Sequence, residues 1–251
     1  MHLELADKRA LVTGSSRGIG RAIAQALHGE GCRVMLNGRS ADALAQAASE
    51  LPGASFVAGD VTRPEEARRI VAETKTALGR LDILVCNVGS GRSVPPGAES
   101  HEEWLRAFAV NFWSATNVIE AAREMLAGSR GAIVCVSSIC GLEVIPGAPV
   151  TYSAAKAALN AYVRGISRPL GKLGVRINAI APGNIMFDGS VWERRMGEDQ
   201  EAVQSMLQRE VALARLGSPQ DVAELAAYLA SPRAEFVTGG VWTLDGGQVR
   251  A

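Results

Sequence analysis

The sequence predicts one α/β domain in which a parallel sheet of about seven strands lies between two layers of helices. Three observations predict this fold. Short β-branched or apolar runs alternate along the 251 residues with segments of helical periodicity. The helical segments are long enough to form right-handed crossovers between parallel strands. No fixed-period repeat, low-complexity tract or linker interrupts the alternation, so residues 1–251 are expected to form a single doubly wound α/β/α domain.

The expected strands are the apolar runs at 9–14, 33–38, 55–61, 83–89, 132–138, 175–183 and 241–247. The expected helices are rich in Ala, Leu, Glu and Arg and cover 18–29, 40–51, 63–79, 99–127, 151–172 and 219–230. Two irregular stretches, 89–98 and 184–200, follow strand carboxyl ends, where an open α/β sheet places its ligand site. We therefore expect these stretches to be site loops rather than domain boundaries.

Composition favours a small-molecule partner. Lys plus Arg and Asp plus Glu are each 26, so no field of one sign would attract nucleic acid or an anionic membrane surface. The longest apolar runs, such as GAIVCVSSIC, are far shorter than the roughly 20 residues that span a bilayer. The stretch MHLELADKRALVTG has no basic region followed by a long apolar one. We therefore expect a cytoplasmic protein that binds neither nucleic acid nor membrane.

The cysteines and histidines predict neither a metal site nor a redox centre. The cysteines lie mostly within strand-like runs and form no CxxC pair, which is typical of reduced core residues. The histidines are too scattered along the chain to suggest a metal cluster. The residues concerned are Cys32, Cys86, Cys135 and Cys140, and His2, His28 and His101.

The stretch ALVTGSSRGIGRAIAQAL places a glycine-rich loop between the first strand and the first helix. Gly14, Gly18 and Gly20 have the spacing G-x-x-x-G-x-G rather than the common G-x-G-x-x-G. Glycine allows a tight turn and lets backbone N–H groups and a helix N-terminus approach a pyrophosphate. A glycine turn alone is also compatible with an ordinary connection. Its position in the first βαβ unit favours a dinucleotide site on a Rossmann-type sheet.

The end of the second strand favours NADP(H) over NAD(H). An acidic residue there would normally bind the ribose hydroxyls of NAD, but this chain has Asn-Gly-Arg, ending in Arg39. Together with Arg17 in the glycine loop, it offers two guanidinium groups, which suit a 2′-phosphate. Alternatively, Arg39 is a solvated residue at a helix start. Asp60, after the third strand, is placed either to meet the adenine amino group or to cap the helix that follows Thr62.

The stretch TYSAAKAALNAYVRG predicts the first half of an Ala-rich helix, with Thr151 placed to cap it. Tyr152 and Lys156 are four residues apart and so share a helix face. A nearby ammonium lowers the pKa of a phenol by stabilising phenolate, which suits acid/base chemistry at neutral pH. Upstream, VCVSSIC ends a strand at Ser137 and Ser138, where a hydroxyl would bind a substrate oxygen. These groups suit hydride transfer with proton relay to a carbonyl.

Taken together, these motifs resemble the short-chain dehydrogenase/reductase family over almost the whole chain. TGSSRGIG is similar to T-G-x-x-x-G-x-G, CNVG to N-N-A-G and YSAAK to Y-x-x-x-K, and APGNI and DGG follow in the family's order. The resemblance implies a catalytic tetrad of Asn111, Ser138, Tyr152 and Lys156. Tyr152 would exchange a proton with the reacting oxygen, which Ser138 would position. Lys156 would lower the pKa of Tyr152 and bind the nicotinamide ribose.

The functional role of Asn111 is predicted from the resemblance alone, which implies that its side chain holds a water between Lys156 and solvent. From the residues alone it is a polar residue in a long helix. The resemblance also implies cofactor contacts in the glycine loop and at strand ends. Besides Tyr152 and Lys156, they are Gly14, Arg17, Gly18, Ile19, Gly20, Arg39, Asp60, Val61, Asn87, Gly89, Pro182, Gly183 and Ile185. The isoleucines are the apolar pair expected near the nicotinamide half, although alone they resemble core residues.

The chain departs from the family pattern at three places. CNVG has Cys86 and Val88 where the family usually has Asn and Ala, a mild change in strand packing. Phe187 stands where the family often has a Thr that binds the nicotinamide carboxamide, so we expect this aromatic ring to contact substrate instead. Pro169 lies late in the Tyr152 helix and is expected to kink the helix or end it early.

The segment 184–215 resembles a substrate lid. Its apolar residues, Trp192 among them, either contact substrate or form the packing face of two amphipathic helices. Arg92, in the loop 89–98, lies near the expected exit of a substrate tail, which suggests an anionic group on that tail. The candidate substrate residues are therefore Arg92, Phe187 and Trp192.

The leading prediction is an NADPH-dependent ketone reductase acting on a 3-oxoacyl thioester, because the pattern resembles 3-oxoacyl-acyl-carrier-protein reductases. The first alternative is an alcohol, polyol or nucleotide-sugar dehydrogenase of the same family. The second is a non-catalytic NADP(H)-binding regulator, against which the intact tetrad argues. The family also implies a homotetramer or dimer, formed through the helices at 99–127 and 151–172 and the C-terminal strand.

Overall fold

Seven strands form one parallel sheet in the computed structural model, which describes residues 2–250. The strands are β1 Arg9–Val12, β2 Arg33–Gly38, β3 Ser55–Ala58, β4 Ile83–Cys86, β5 Ala132–Val136, β6 Arg176–Pro182 and β7 Val241–Leu244. Their order is β3-β2-β1-β4-β5-β6-β7, and every neighbouring pair is parallel. The predicted doubly wound, Rossmann-type fold is confirmed.

The helices cover both faces of this sheet. They are α1 Gly18–Gly29, α2 Ala41–Ser49, α3 Pro64–Leu78, α4 His101–Phe108, α5 Ser114–Ser129, α6 Val150–Gly171, α7 Val191–Glu198, α8 Gln200–Glu210 and α9 Pro219–Ala230. Every segment predicted as helix is helical, and the lid contributes α7 and α8. Within residues 2–250, no helix combines the length and the apolar character needed to cross a bilayer.

Alternate residues of the central strands pack against opposite helix layers. In β1, Ala10 and Val12 contact the layer of α1, α2 and α9, whereas Leu11 contacts the layer of α3, α5 and α6. β4 and β5 alternate in the same way. A strand buried on both faces needs apolar residues at every position, which is why these strands are continuous apolar runs in the sequence.

The cysteines are free thiols, as predicted. Cys32, Cys86 and Cys135 are buried in strands or next to them, so the prediction of reduced core residues is confirmed for these three. Cys140 is partly buried in the connection after β5. Burial raises the pKa of the Cys32 thiol to about 12 and also raises the pKa of Cys86, which keeps both thiols protonated at neutral pH.

The strand order reverses between β1 and β4, and this reversal positions the site. Connections from β1 and β4 leave toward opposite faces of the sheet, which opens a crevice at the carboxyl ends of the strands. The glycine loop follows β1, and residues 87–89 follow β4. The connections after β5 and β6 line the same edge, so the predicted site residues converge there.

The segment predicted as one helix over 99–127 is helical without a break from His101 to Ser129, but its α-helical geometry is interrupted. A π-helical turn at Ala109–Trp113 separates α4 from α5. Asn111 and Ser114 each donate a side-chain hydrogen bond to the carbonyl four residues earlier, at 3.0 Å and 2.7 Å. Such bonds compete with the regular backbone pattern of a helix. The wide turn directs Asn111 toward the loop after β4.

Two expectations about α6 are wrong. The helix begins at Val150, after Pro149, so Thr151 lies inside its first turn and does not cap it. The helix also continues through Pro169 to Gly171, so the expected early end is wrong, whereas a kink at the proline stays a prediction. A proline this close to the C-terminal end removes one backbone donor, and the rest of the helix retains its hydrogen bonds.

Arg176, at the start of β6, links the sheet to the C-terminal end of α9. Its guanidinium donates hydrogen bonds to the carbonyls of Leu229 at 2.8 Å and Ser231 at 2.9 Å, with longer bonds to Ala230 and Val237. The last carbonyls of a helix have no partners within the helix. A cation at this end also interacts favourably with the helix dipole.

Arg176→Met is expected to lower the free energy of unfolding by about 2–3 kcal/mol, because the apolar stem stays while several carbonyls lose a charged donor. Urea denaturation followed by circular dichroism measures this difference. Arg176→Lys keeps the charge but lacks the planar fork, so it should lose less stability. Equal stability of the Met variant and the wild type would contradict the assigned role.

Candidate active site

The glycine loop between β1 and α1 depends on its glycines at two positions. Gly14 has φ +63°, a left-handed conformation that glycine adopts at little cost. At Gly20, a Cβ would lie 2.4 Å from the carbonyl oxygen of Gly14 and 2.4 Å from Asn87 Nδ2. A side chain at Gly20 would therefore push the loop away from α1.

The N-terminus of α1 presents backbone N–H groups that no capping side chain occupies. Arg17 precedes the helix in an extended conformation, and its side chain makes no capping hydrogen bond. Free N–H groups at a helix N-terminus bind anions. Arg17 and Arg39 are exposed, and neither forms an ion pair within residues 2–250. This open helix end beside two guanidinium groups fits the phosphates of a dinucleotide.

Asn87, the first residue after β4, holds the glycine loop in place. Its Nδ2 donates to the carbonyls of Thr13 at 3.1 Å and Gly14 at 3.0 Å. Its backbone N–H donates to Thr13 Oγ1 at 3.0 Å, and that hydroxyl donates to the carbonyl of Val85. The structure thus places Asn87 in a clamp between β4 and the loop. Its direct contact with a cofactor stays a prediction.

Tyr152 and Lys156 lie on one face of α6, as their spacing predicts. Lys156 is 2% exposed, and its Nζ donates to the carbonyl of Val136, the last residue of β5, at 2.8 Å. Nζ lies 6.0 Å from the centroid of the Tyr152 ring. Gly89 lies on the other side of the ammonium, where a Cβ would be 3.0 Å from Nζ. The end of β5, the loop after β4 and α6 therefore meet at this lysine.

Burial sets the pKa of both side chains. Loss of hydration raises the pKa of Tyr152 to about 12, and the nearby hydroxyl of Ser138 partly offsets the rise. Burial lowers the pKa of Lys156 to about 8. Desolvation dominates the pKa of Tyr152 in this structure. The lowering of the phenol pKa by Lys156 stays a prediction.

Ser138 follows β5 and brings its hydroxyl to Tyr152. Its Oγ accepts a hydrogen bond from the N–H of Cys140 at 3.2 Å, which opens a short 3-10 turn at Ile139–Gly141. That bond uses a lone pair of the oxygen, so the hydroxyl proton is free to be donated. The structure therefore brings the predicted serine, tyrosine and lysine together at one strand end.

Asn160 is a site residue that sequence reasoning missed. Ser137 Oγ donates to Asn160 Oδ1 at 2.6 Å, and Asn160 Nδ2 donates to the carbonyl of Gly141 at 3.1 Å. These bonds clamp the turn after Ser138 against α6. Gly141 lies so near that a Cβ would be 2.6 Å from the carbonyl carbon of Lys156. The available signal was a polar residue eight positions after Tyr152, on the same helix face.

Asn111 binds the loop after β4. Its Oδ1 accepts the N–H of Ser90 at 2.8 Å, and its Nδ2 donates to the carbonyl of Ser90 at 3.1 Å. A Cβ at Gly89 would lie 3.2 Å from Asn111 Oδ1 and 3.0 Å from Lys156 Nζ. The fourth residue of the predicted tetrad is therefore brought beside the lysine. The water that it would hold stays a prediction.

The other predicted cofactor residues lie along the same crevice. Asp60 Oδ1 accepts the N–H of Thr62 at 3.0 Å, so its carboxylate supports the turn before α3. Arg63 is the capping residue of α3, so the alternative role of Asp60 as a cap is wrong. Residues in the core or at the end of β6 are Ile19, Val61, Pro182, Gly183 and Ile185. Their contacts with a cofactor stay predictions.

The three candidate substrate residues are placed differently. The ring of Phe187 lies against Gly18 of the glycine loop, where a Cβ would be 2.6 Å from a ring carbon. Trp192 packs in the apolar cluster of α7 and α8, and its ring lies 4.9 Å from the Arg195 guanidinium carbon. Arg92 is exposed in the loop after β4. The structure therefore favours the packing role for Trp192 and places Phe187 on the glycine-loop side of the crevice.

Comparison with known proteins matches the chain along almost its whole length. A family model described as enoyl-(acyl carrier protein) reductase matches residues 14–248. The 3-oxoacyl-acyl-carrier-protein reductase FabG of Chlamydia trachomatis serovar D is 34% identical over 253 residues, covering 97% of this chain and 98% of the relative. Glucose 1-dehydrogenase of Gluconobacter oxydans is 33% identical over 253 residues, covering 96% and 92%.

Among solved structures, L-sorbose reductase from Gluconobacter frateurii, complexed with NADPH and L-sorbose, superposes with a TM-score of 0.93. It is 28% identical, and the match covers 100% of both chains. The names of these three relatives indicate different substrates, and the L-sorbose reductase structure shares the fold of this chain along its whole length.

Lys156→Met is expected to gain stability over the wild type at neutral pH and to lose that advantage between about pH 8 and pH 10.5. The pKa of Lys156 is lowered from 10.5 to about 8, so in this window the unfolded chain binds a proton that the folded chain has released. Wild-type stability therefore rises with pH there, by an amount on the order of 3 kcal/mol. Urea denaturation at a series of pH values measures it.

The pKa of Tyr152 is raised from 10 to about 12, so its ionisation changes the stability only above about pH 10, at the upper end of this window. Lys172→Met, which removes an exposed lysine at the end of the same helix, is the control for the loss of a lysine. A constant stability difference between wild type and Lys156→Met across the window would show that the buried ammonium carries no such cost.

Proposed function

The chain belongs to the short-chain dehydrogenase/reductase family, and on that premise we propose that it reduces the ketone of a 3-oxoacyl thioester with NADPH. One observation carries the proposal. The hydroxyl of Ser138, the phenol of Tyr152 and the ammonium of Lys156 are grouped at the carboxyl end of β5, beside the glycine loop. This grouping can orient a carbonyl, give it a proton and stabilise the charge that remains.

A bound nicotinamide would supply the hydride to the carbonyl carbon or take it back from an alcohol. Tyr152 is a protonated phenol at neutral pH because its pKa is raised to about 12. It donates that proton to the carbonyl oxygen as negative charge develops there. The free hydroxyl proton of Ser138 binds the same oxygen and stabilises the charge. In the oxidising direction, Tyr152 must first release its own proton, and the phenolate oxygen then accepts the proton of the alcohol.

Lys156 supplies the positive charge. Below about pH 8 its ammonium stays protonated, so it stabilises the phenolate that Tyr152 becomes after donation. The alkoxide formed from a ketone is a stronger base than phenolate, so a phenol with a raised pKa still protonates it. Lys156 would also bind the nicotinamide ribose hydroxyls, and Asn111 would hold the water through which the proton is replaced.

Arg17 and Arg39 favour NADP(H) over NAD(H). Both guanidinium groups are exposed, and the end of β2 offers Arg39 where an NAD-specific site offers a carboxylate. A bidentate guanidinium binds a 2′-phosphate strongly, whereas a carboxylate would repel it. The complex of the related L-sorbose reductase with NADPH supports this preference.

The thioester is favoured by the likeness to 3-oxoacyl reductases along the whole chain. Arg92, exposed beside the site, would bind an anionic group on the substrate tail. The second candidate is a sugar or polyol, favoured by the likeness to glucose 1-dehydrogenase and L-sorbose reductase and by the polar sequence Gly-Ser-Gly-Arg-Ser in the same loop.

The outer faces of α4 and α6 carry exposed apolar side chains that would form the interface of a homotetramer or dimer. Leu105 on α4 and Val150 on α6 are 47% and 42% exposed, and Trp113 between α4 and α5 is 38% exposed. Trp242 on β7 is 37% exposed. These apolar side chains would be covered by assembly through the elements that the family uses.

The protein is expected to oxidise NADPH with an acetoacetyl thioester, and Tyr152→Phe to lower kcat by a factor of about 100 to 10,000, because the proton donor is lost. Absorbance of NADPH measures the rate. Tyr162→Phe, nearly three turns along the same helix and packed against Phe112, is the matched control and should retain activity. Turnover of sugars but not of the thioester would select the second candidate, and equal rates for Tyr152→Phe and wild type would exclude the mechanism.

Arg39→Ala is expected to raise the Kd for NADPH by a factor of about 10 to 100 and to leave the Kd for NADH nearly unchanged, because only NADPH carries the 2′-phosphate. Quenching of protein fluorescence measures both constants. Arg33→Ala removes an exposed arginine from the opposite end of β2 and should change neither constant. Equal weakening of both cofactors by Arg39→Ala would contradict the preference.

A further inference from the structure

The loop after β4 passes close to the Tyr152 phenol. A Cβ on Gly91 would lie 4.0 Å from Tyr152 Cζ. We call residues 89–98 the substrate loop. It contains neither strand nor helix, and Gly91 and Arg92 within it are exposed. A loop in this position forms one wall of the space in front of the phenol, so its anchoring determines the shape of that space.

A chain of hydrogen bonds ties Ser93 of the substrate loop to the first turn of α6. Ser93 Oγ lies 2.6 Å from Thr151 Oγ1 and also donates to the carboxylate of Glu103 on α4. Thr151 is 0% exposed and directly precedes Tyr152. On its other side, the Glu103 carboxylate accepts a hydrogen bond from Arg106 Nε at 2.7 Å.

The chemistry of these four groups fixes the direction of every bond. A guanidinium only donates and a carboxylate only accepts. Hydrogen bonds from Arg106 and Ser93 lower the pKa of Glu103 to about 2, so it is ionised at neutral pH. Ser93 therefore donates its hydroxyl proton to Glu103. Because a hydroxyl has one proton, Thr151 must be the donor in the hydrogen bond between Thr151 and Ser93. A chain that ends on a charged acceptor is stronger than one between neutral groups.

The same region of the loop is held at two further points. Arg106 Nη2 donates to the carbonyl of Arg92 at 2.7 Å, and Asn111 binds both backbone groups of Ser90. Gly91, nearest the phenol, thus lies between two anchored residues. Among residues 2–250, the hydrogen bond that Thr151 donates to Ser93 is the one that connects this loop directly to the helix carrying Tyr152.

We propose that Ser93 and Thr151 are positioning residues that hold the substrate loop against Tyr152 and thereby set the KM for the ketone. The kinetic part rests on the proposed function, whereas the anchoring of the loop does not. Neither residue touches the reacting atoms, and no proton moves along the chain during the reaction. A loop that is already ordered lowers the entropy lost when substrate binds.

Thr151→Val removes the donor and keeps the shape of the side chain. It is expected to raise the KM for the ketone roughly tenfold, the effect of one strong hydrogen bond, with kcat within about threefold and the Kd for NADPH unchanged. Thr151→Ser restores the donor and should restore the KM. Ser153→Ala is the matched control, because that hydroxyl lies in the same turn but donates to the carbonyl of Pro149 at 2.9 Å.

Trypsin cleavage after Arg92 reports release of the loop without any substrate. In Thr151→Val, which leaves the Arg92–Ser93 bond intact, cleavage after Arg92 is expected to accelerate several-fold relative to cleavage after Arg194, an exposed arginine on α7. Mass spectrometry of the fragments measures the ratio. Ser93→Ala, a change on the loop itself, should increase the same cleavage ratio. It replaces Thr151→Val in this experiment if that variant does not fold.

The outcomes separate the two proposals. Faster cleavage after Arg92 together with no turnover of any ketone would overturn the proposed function and support the anchoring. An unchanged cleavage ratio in both variants would overturn the anchoring, even if the KM rose. An unchanged KM in an enzyme that does turn over, despite faster cleavage, would overturn the role of the loop in substrate affinity.

Discussion

The hydrogen bond from the buried ammonium of Lys156 to the carbonyl of Val136 is the interaction on which the rest of the site depends. A cation that is 2% exposed loses most of its hydration, so the surrounding elements must approach it closely and offer polar groups. Gly89 and Gly141 make this approach possible, because a Cβ at either position would meet Lys156 at 3.0 Å or less. The connections after β4 and β5 are therefore built around one lysine on α6.

The two sides of the crevice use different means of binding. The side formed by the glycine loop relies on backbone N–H groups at the start of α1 and on exposed guanidinium groups, which suit a charged ligand of fixed shape. The side formed by β5 and α6 relies on the side chains of Ser138, Tyr152 and Lys156, and burial shifts the pKa of the tyrosine and of the lysine. Asn87 joins them, because it follows β4 and binds the carbonyls of the glycine loop.

The proposed function places reaction type and substrate choice in different parts of the fold. Ser138, Tyr152 and Lys156 lie on β5 and α6, where regular structure holds them rigidly, and they suit any ketone or secondary alcohol. In this proposal, the substrate loop and the lid helices α7 and α8 would supply the remaining walls of the site. Loops of this kind vary most among relatives. This division explains why a 3-oxoacyl reductase and a glucose dehydrogenase resemble the chain to nearly the same degree.

The sequence by itself determined the sheet, the glycine loop and the shared face of Tyr152 and Lys156, because each follows from spacing along a short stretch of chain. Only the tertiary structure decided the properties that depend on burial or on contacts between distant residues. The pKa of Tyr152 rises because α6 is buried against the end of β5, which the four-residue spacing cannot show. Thr151 binds Ser93, 58 residues away, instead of capping its own helix. Asn111 lies in a π-helical turn and binds Ser90. The local sequence around Asn111 cannot predict this contact, because Ser90 belongs to a loop that only the fold brings near.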